Sequence, residues 1–126
     1  MQRSGGDYLP FKIGLAQKRK QLIEEELKRV IPKIVELDVE KIIVFGSLVT
    51  NKVHRSSDLD ILIVKKTRKK FLDRLEEVYQ HLKPSLAMDL FVYTPEEFEN
   101  MKLTNQFIKS ALKNGEVVYE KQSSGS

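Results

Sequence analysis

Two aspartates one residue apart, Asp58 and Asp60, follow a Gly46-Ser47 pair after an interval of ten residues. Side chains along a strand alternate between faces, so the two carboxylates project from the same side. Held side by side they repel each other, which suits a strand only if cations sit between them. Mg²⁺ prefers oxygen ligands and keeps positions for water and substrate phosphates. Gly46 ends the short apolar run Lys41–Phe45, and a residue without Cβ lets backbone approach a ligand closely. If a helical turn follows, its first N–H groups and the Ser47 hydroxyl suit a phosphate. A third acid, Asp89, interrupts the apolar run Leu86–Val92, where an unpaired carboxylate is costly. Set against Asp58 and Asp60 from a neighbouring strand, it completes a metal site. Two ions in such a site, roughly 3.5–4 Å apart, stabilise both the attacking and the leaving oxygens of an in-line phosphoryl displacement.

These residues need rigid elements to hold them. Leu22, Ile23, Leu27, Val30, Ile31 and Ile34 recur at spacings of three and four, which predicts an amphipathic helix over about 15–37. Pro32 is expected to kink or split it. Lys41–Phe45 reads as a buried strand, Leu48–Val53 as a turn or two after the glycine, and Asp58–Lys65 as a second strand. Phe71, Leu72, Leu75, Val78, Tyr79 and Leu82 mark a second amphipathic helix that Pro84 stops, and Leu86–Tyr93 reads as a third strand. Thr94-Pro95-Glu96-Glu97 is a helix start with Thr as N-cap, Pro at the first helical position and Glu three residues after the cap. Phe107, Ile108, Ala111 and Leu112 belong to a last helix closed by Asn114-Gly115, with Val117–Tyr119 as an added edge strand. The expected fold is α/β (α+β): a small mixed sheet, helices packed on one face and the carboxylates on the other. Residues 1–14 are expected to be a loose lead-in, 15–121 one domain, and 122–126 a disordered tail.

At 126 residues the chain fits one domain and can bury a core without staples. It has no cysteine, which excludes a disulfide framework, Cys-ligated zinc and thiol catalysis, and is consistent with a cytoplasmic protein. No apolar run approaches a membrane span, and the first residues lack the apolar stretch of a leader. The net charge of +4 favours anionic partners mildly. Lys65, Lys66, Arg68, Lys69 and Lys70 form a basic cluster that reads as a solvated helix start, with a nucleic-acid surface as the sharper alternative. His54 and His81 read as surface histidines.

The run Gly46-Ser47…Ser57-Asp58-Leu59-Asp60, followed by an isolated strand Asp89, resembles the minimal nucleotidyltransferases of the DNA polymerase beta-like superfamily, in the branch of small antitoxins. The likeness covers about residues 15 to 120. It implies transfer of a nucleoside monophosphate, by default AMP from ATP, to an acceptor hydroxyl. By the resemblance Gly46 and Ser47 meet the triphosphate, and Asp58 and Asp60 hold two Mg²⁺ ions, for which Mn²⁺ substitutes. Asp89 ligates the catalytic metal and helps deprotonate the acceptor. Larger members carry an acceptor-binding domain for which this length leaves no room, so a self-dimer, a HEPN-type partner protein or a nucleic acid is expected to supply the acceptor. One departure stands out: Val49-Thr50-Asn51 occupies the place where relatives often carry Ala-Arg-Gly, with Lys52 or Arg55 as substitutes for the missing arginine. That departure leaves open an alternative, a non-catalytic antitoxin or binding subunit that acts by occlusion. A haloacid dehalogenase-type phosphatase also uses Asp-x-Asp, but wants Thr or Val where this chain has Leu62.

Overall fold

A computed structural model describes the backbone of residues 11–45 and 59–122, with side chains from residue 17 onward. The elements run α1 (Phe11–Val35), β1 (Lys41–Phe45), β2 (Leu59–Val64), α2 (Phe71–Leu82), β3 (Met88–Tyr93), α3 (Pro95–Thr104), α4 (Gln106–Asn114) and β4 (Glu116–Glu120). The four strands lie in the order β3-β2-β1-β4. β1 pairs antiparallel with β2 and with β4, while β2 and β3 run parallel, so the sheet is mixed as expected.

Helices cover both faces of this sheet rather than one. Ile23, Leu27, Val30 and Ile34 of α1 and Val78 and Leu82 of α2 pack against Ile42, Val44, Leu59, Ile61, Ile63, Leu90 and Val92. On the other face, Phe98 of α3 and Ile108 and Ala111 of α4 pack against Ile43, Phe45, Leu62 and Val64. The reason is visible in β2, where every residue is buried. An uninterrupted run such as Ile61-Leu62-Ile63-Val64 needs cover on both sides, whereas alternation would need it on one.

Local signals account for most boundaries. Thr94 forms the capping box of α3: its hydroxyl accepts from Glu97 N at 3.1 Å and its N–H donates to Glu97 Oε1 at 2.9 Å. Asn105 both ends α3 and caps α4, its side chain accepting from Ile108 N at 3.1 Å. α2 ends at Leu82, where Lys83 takes a left-handed conformation (φ 47°) ahead of Pro84. Two expectations fail. Pro32 does not split α1, which continues to Val35; Val30 and Ile34 on either side of it are both buried in the core, and that packing outweighs the one helical hydrogen bond the proline removes. Residues 11–14, expected in the lead-in, already belong to α1. The expected turn at Leu48–Val53 and the tail from 123 lie outside the described residues.

Two half-buried ionic clamps fix the strands that matter below. Glu26 of α1 accepts from Arg29 Nε and Nη2, each at 2.9 Å, and from Ser85 N at 2.7 Å. Arg29 in turn donates to the Leu82 and Lys83 carbonyls that end α2. α1 thereby holds the turn that feeds β3. Arg74 of α2 donates to the carbonyls of Lys69 (2.8 Å) and Val92 (3.1 Å) and to both carboxylate oxygens of Glu97. That guanidinium, together with Thr94, holds the Glu97 carboxyl below the usual carboxylate range.

Candidate active site

β2 begins one residue before Asp60, and strand alternation sorts its side chains. Leu59, Ile61 and Ile63 join the α1/α2 core, while Leu62 and Val64 join the α3/α4 core. Asp60 shares the second face. In β3 the same rule places Met88, Leu90 and Val92 toward α1/α2 and Asp89, Phe91 and Tyr93 toward α3/α4.

Asp60 and Asp89 are register partners in the parallel β2–β3 ladder. They therefore stand on one face at one level, on strands roughly 4.8 Å apart. Asp60 is 4% exposed, whereas Asp89 is exposed. The pair combines an anchored carboxylate with an accessible one. Adjacent acids of this kind are a poor structural choice and a good oxygen-donor set for a hard cation. The expectation that the carboxylates lie away from the helices holds for α1 and α2 only, because α3 and α4 share their face.

Asp58, Gly46 and Ser47 lie outside the described residues, as do Thr50 and His54. Phe45, the residue before Gly46, is the antiparallel register partner of Asp60. Among the described residues no group of three His, Asp or Glu side chains converges as a metal site. The described part of the candidate centre is thus the Asp60/Asp89 pair.

Tyr79 was read from sequence only as part of the apolar stripe of a helix. Its hydroxyl donates to the Met88 carbonyl, next to Asp89. Burial raises its pKa first, and the negative charge of Asp89 adds to the rise. An aromatic cluster also escaped the sequence reading. The rings of Phe45 and Phe91 come from the strands flanking β2, yet their centroids are 5.8 Å apart. Phe107 of α4 packs on both, at 5.3 and 4.9 Å. Phe91 was findable, since it lies two residues beyond Asp89 on an alternating strand; the contact with Phe107 is purely tertiary.

Elsewhere the expected charges have local uses. Lys65 donates to the Leu37 carbonyl at 2.8 Å, and Lys69 pairs with Glu77 at 3.3 Å, as a solvated helix start would have it. His81 meets Glu36 at 3.0 Å near the surface. No helix of the described residues is long and apolar enough to cross a membrane.

Comparison with known proteins bears on the fold and the family. No curated protein sequence matches the chain. Among solved structures, a crystal structure of a provisionally assigned nucleotidyltransferase from Sulfolobus solfataricus superposes with a TM-score of 0.60 at 18% identity, over 96% of this chain and 93% of that one. At that identity the likeness speaks for the fold. The family model described as polymerase beta, nucleotidyltransferase, matches residues 25–124. The match spans the C-terminal part of α1, all four strands and both carboxylates, and the chain belongs to the polymerase beta nucleotidyltransferase family.

Proposed function

We propose that the protein transfers a nucleoside monophosphate, AMP from ATP, to an acceptor hydroxyl in a reaction dependent on Mg²⁺ or Mn²⁺. The observation that carries this reading is the register pairing of Asp60 with Asp89 on one sheet face. Asp58, two residues before Asp60, is the third ligand in this reading, and Gly46 and Ser47 meet the triphosphate. A divalent ion held by these carboxylates would offset the phosphate charge and make the α-phosphorus more open to in-line attack. Asp60, buried and fixed by β2, orients the assembly. Asp89, exposed at the sheet's end, accepts the acceptor's proton as the new oxygen–phosphorus bond forms and pyrophosphate leaves. A HEPN-type partner protein or a second copy of the chain supplies the acceptor, in the cytoplasm and as part of a toxin–antitoxin pair; nucleic acid is the other acceptor to test.

The deciding experiment incubates the protein with ATP labelled at the α-phosphate, Mg²⁺ and each candidate acceptor. The wild type should label one of them. Asp60→Asn and Asp89→Asn should each lower labelling on the order of a thousandfold while leaving acceptor binding intact. A wild type that binds and neutralises a partner without labelling anything is an occluding subunit, and the catalytic reading falls.

A further inference from the structure

We propose that the Phe45–Phe91–Phe107 cluster is the seat on which the donor's base stacks, and that it selects purine nucleotides. The inference rests on the nucleotidyl-transfer reading and deepens it.

Placement is the first support. Phe45 is level with Asp60 in the antiparallel ladder, and Phe91 lies two residues beyond Asp89, roughly 6.7 Å along the same face. The 5.8 Å separation of their centroids means that the two rings lean together across β2, between the level of Asp60 and that of Leu62. A nucleotide whose phosphates meet Asp60 and Asp89 would have the length of a ribose in which to reach these rings.

Exposure is the second. Phe45 is buried and Phe91 half-buried, but Phe107 remains 41% exposed although it contacts both. It stands in the first turn of α4, one residue before the buried Ile108 that anchors the helix to the sheet. A side chain serving only to seal the α3/α4 core would do so as well without a ring and with less of its surface left in water. An exposed ring backed by two fixed rings instead offers a flat π surface that a base can cover at little cost in side-chain order. Stacking tolerates every base and strengthens with overlap, so the larger purine ring system gains more from it than a pyrimidine.

The chain contains no tryptophan, which makes the direct test simple. Phe107→Trp places a single indole at the seat. Mg²⁺ with ATP should quench its fluorescence saturably, and Mg²⁺ with CTP should do so only at higher concentration. In Phe107→Ala, ATP affinity measured by calorimetry should fall roughly ten- to a hundredfold, and the preference for ATP over CTP should vanish. Phe107→Tyr should retain both. Phe107→Leu keeps an apolar side chain against Phe45 and Phe91 but removes the ring, so it should lose affinity while melting like the wild type. If ATP binding depends on Asp60 but is the same in wild type, Phe107→Ala and Phe107→Leu, the base sits elsewhere and this inference falls while the proposed function stands. If the wild type binds no nucleotide with Mg²⁺, both fall.

Discussion

Glu26 and Asp60 are buried to nearly the same degree, at 5% and 4% exposure, on opposite sides of the sheet. Their surroundings differ in kind. Glu26 faces a guanidinium that grips both of its oxygens, and a backbone amide completes the set. The Arg29 hydrogen bonds, with help from Ser85, pull its pKa from 4.5 down to about 2 against the opposing effect of burial. Asp60 has a second carboxylate as its cross-strand partner. Burial alone therefore does not distinguish the two acids; Glu26 faces a guanidinium across its clamp, whereas Asp60 stands level with a second carboxylate across the ladder. A carboxylate beside a cation strengthens the fold, whereas a carboxylate beside a carboxylate costs stability and is retained where something else benefits.

The largest stability effect should come from Glu26→Gln, which removes the charge and keeps the shape. Thermal unfolding at pH 7 should show a loss of about 2 kcal/mol, several degrees in Tm. The folded-state pKa lies below the unfolded one, so this stabilisation is complete above about pH 4.5 and disappears as the pH falls through about 2. The Gln variant should therefore converge with the wild type in acid. Parallel curves from pH 7 to pH 2 would show that the clamp does not act through charge.

Gly115→Ala probes what positions the other face. A Cβ there would press on the Ala111 carbonyl oxygen and approach Ile43 Cγ2 at 3.0 Å and Phe45 Cβ at 3.1 Å. α4 must move off β1 to accept it, at a cost of about 1–2 kcal/mol. Because α4 also carries Phe107, the stabilisation of the protein by Mg²⁺-ATP should shrink as well. An unchanged nucleotide response would separate the helix from the site.

The smallest effect is expected for Asp60→Asn without metal. Relief of repulsion from Asp89 should leave stability unchanged or raise it by about 0.5 kcal/mol. The extra thermal shift that Mg²⁺ gives over ATP alone should be lost. A Tm drop as large as that of Glu26→Gln would make Asp60 a structural acid like Glu26 and erase the contrast.

Several elements could be read directly because their signals are local. The Thr94–Glu97 capping box forms within four consecutive residues, so its outcome depends on nothing distant. The three- and four-residue spacing in α1 and α2 and the short apolar run of β3 are likewise properties of a few turns of chain. Pro32 misled because a helix continues past a proline when core packing on both sides of it outweighs the one lost hydrogen bond, and that packing is tertiary. The one-face layout misled because the apolar run in β2 already implied two covered faces. The Glu26–Arg29 clamp was not legible, since nothing local announces that Ser85, 59 residues away, will close over Glu26.

By itself, the sequence determined which residues could do chemistry and which face of a strand each would take, because residue type and the two-residue repeat are carried by the chain. It also determined the family, through the Gly-Ser and Asp-x-Asp spacing and the strand Asp89. Only the tertiary structure decided that β3 lies parallel beside β2 with Asp89 level with Asp60, since strand order and register depend on the crossover through α2 and on the clamps that hold it. It alone brought Phe107 onto Phe45 and Phe91 across 62 and 16 residues of chain. Contacts at such separations are fixed by the packing of whole elements, which no short window of sequence encodes.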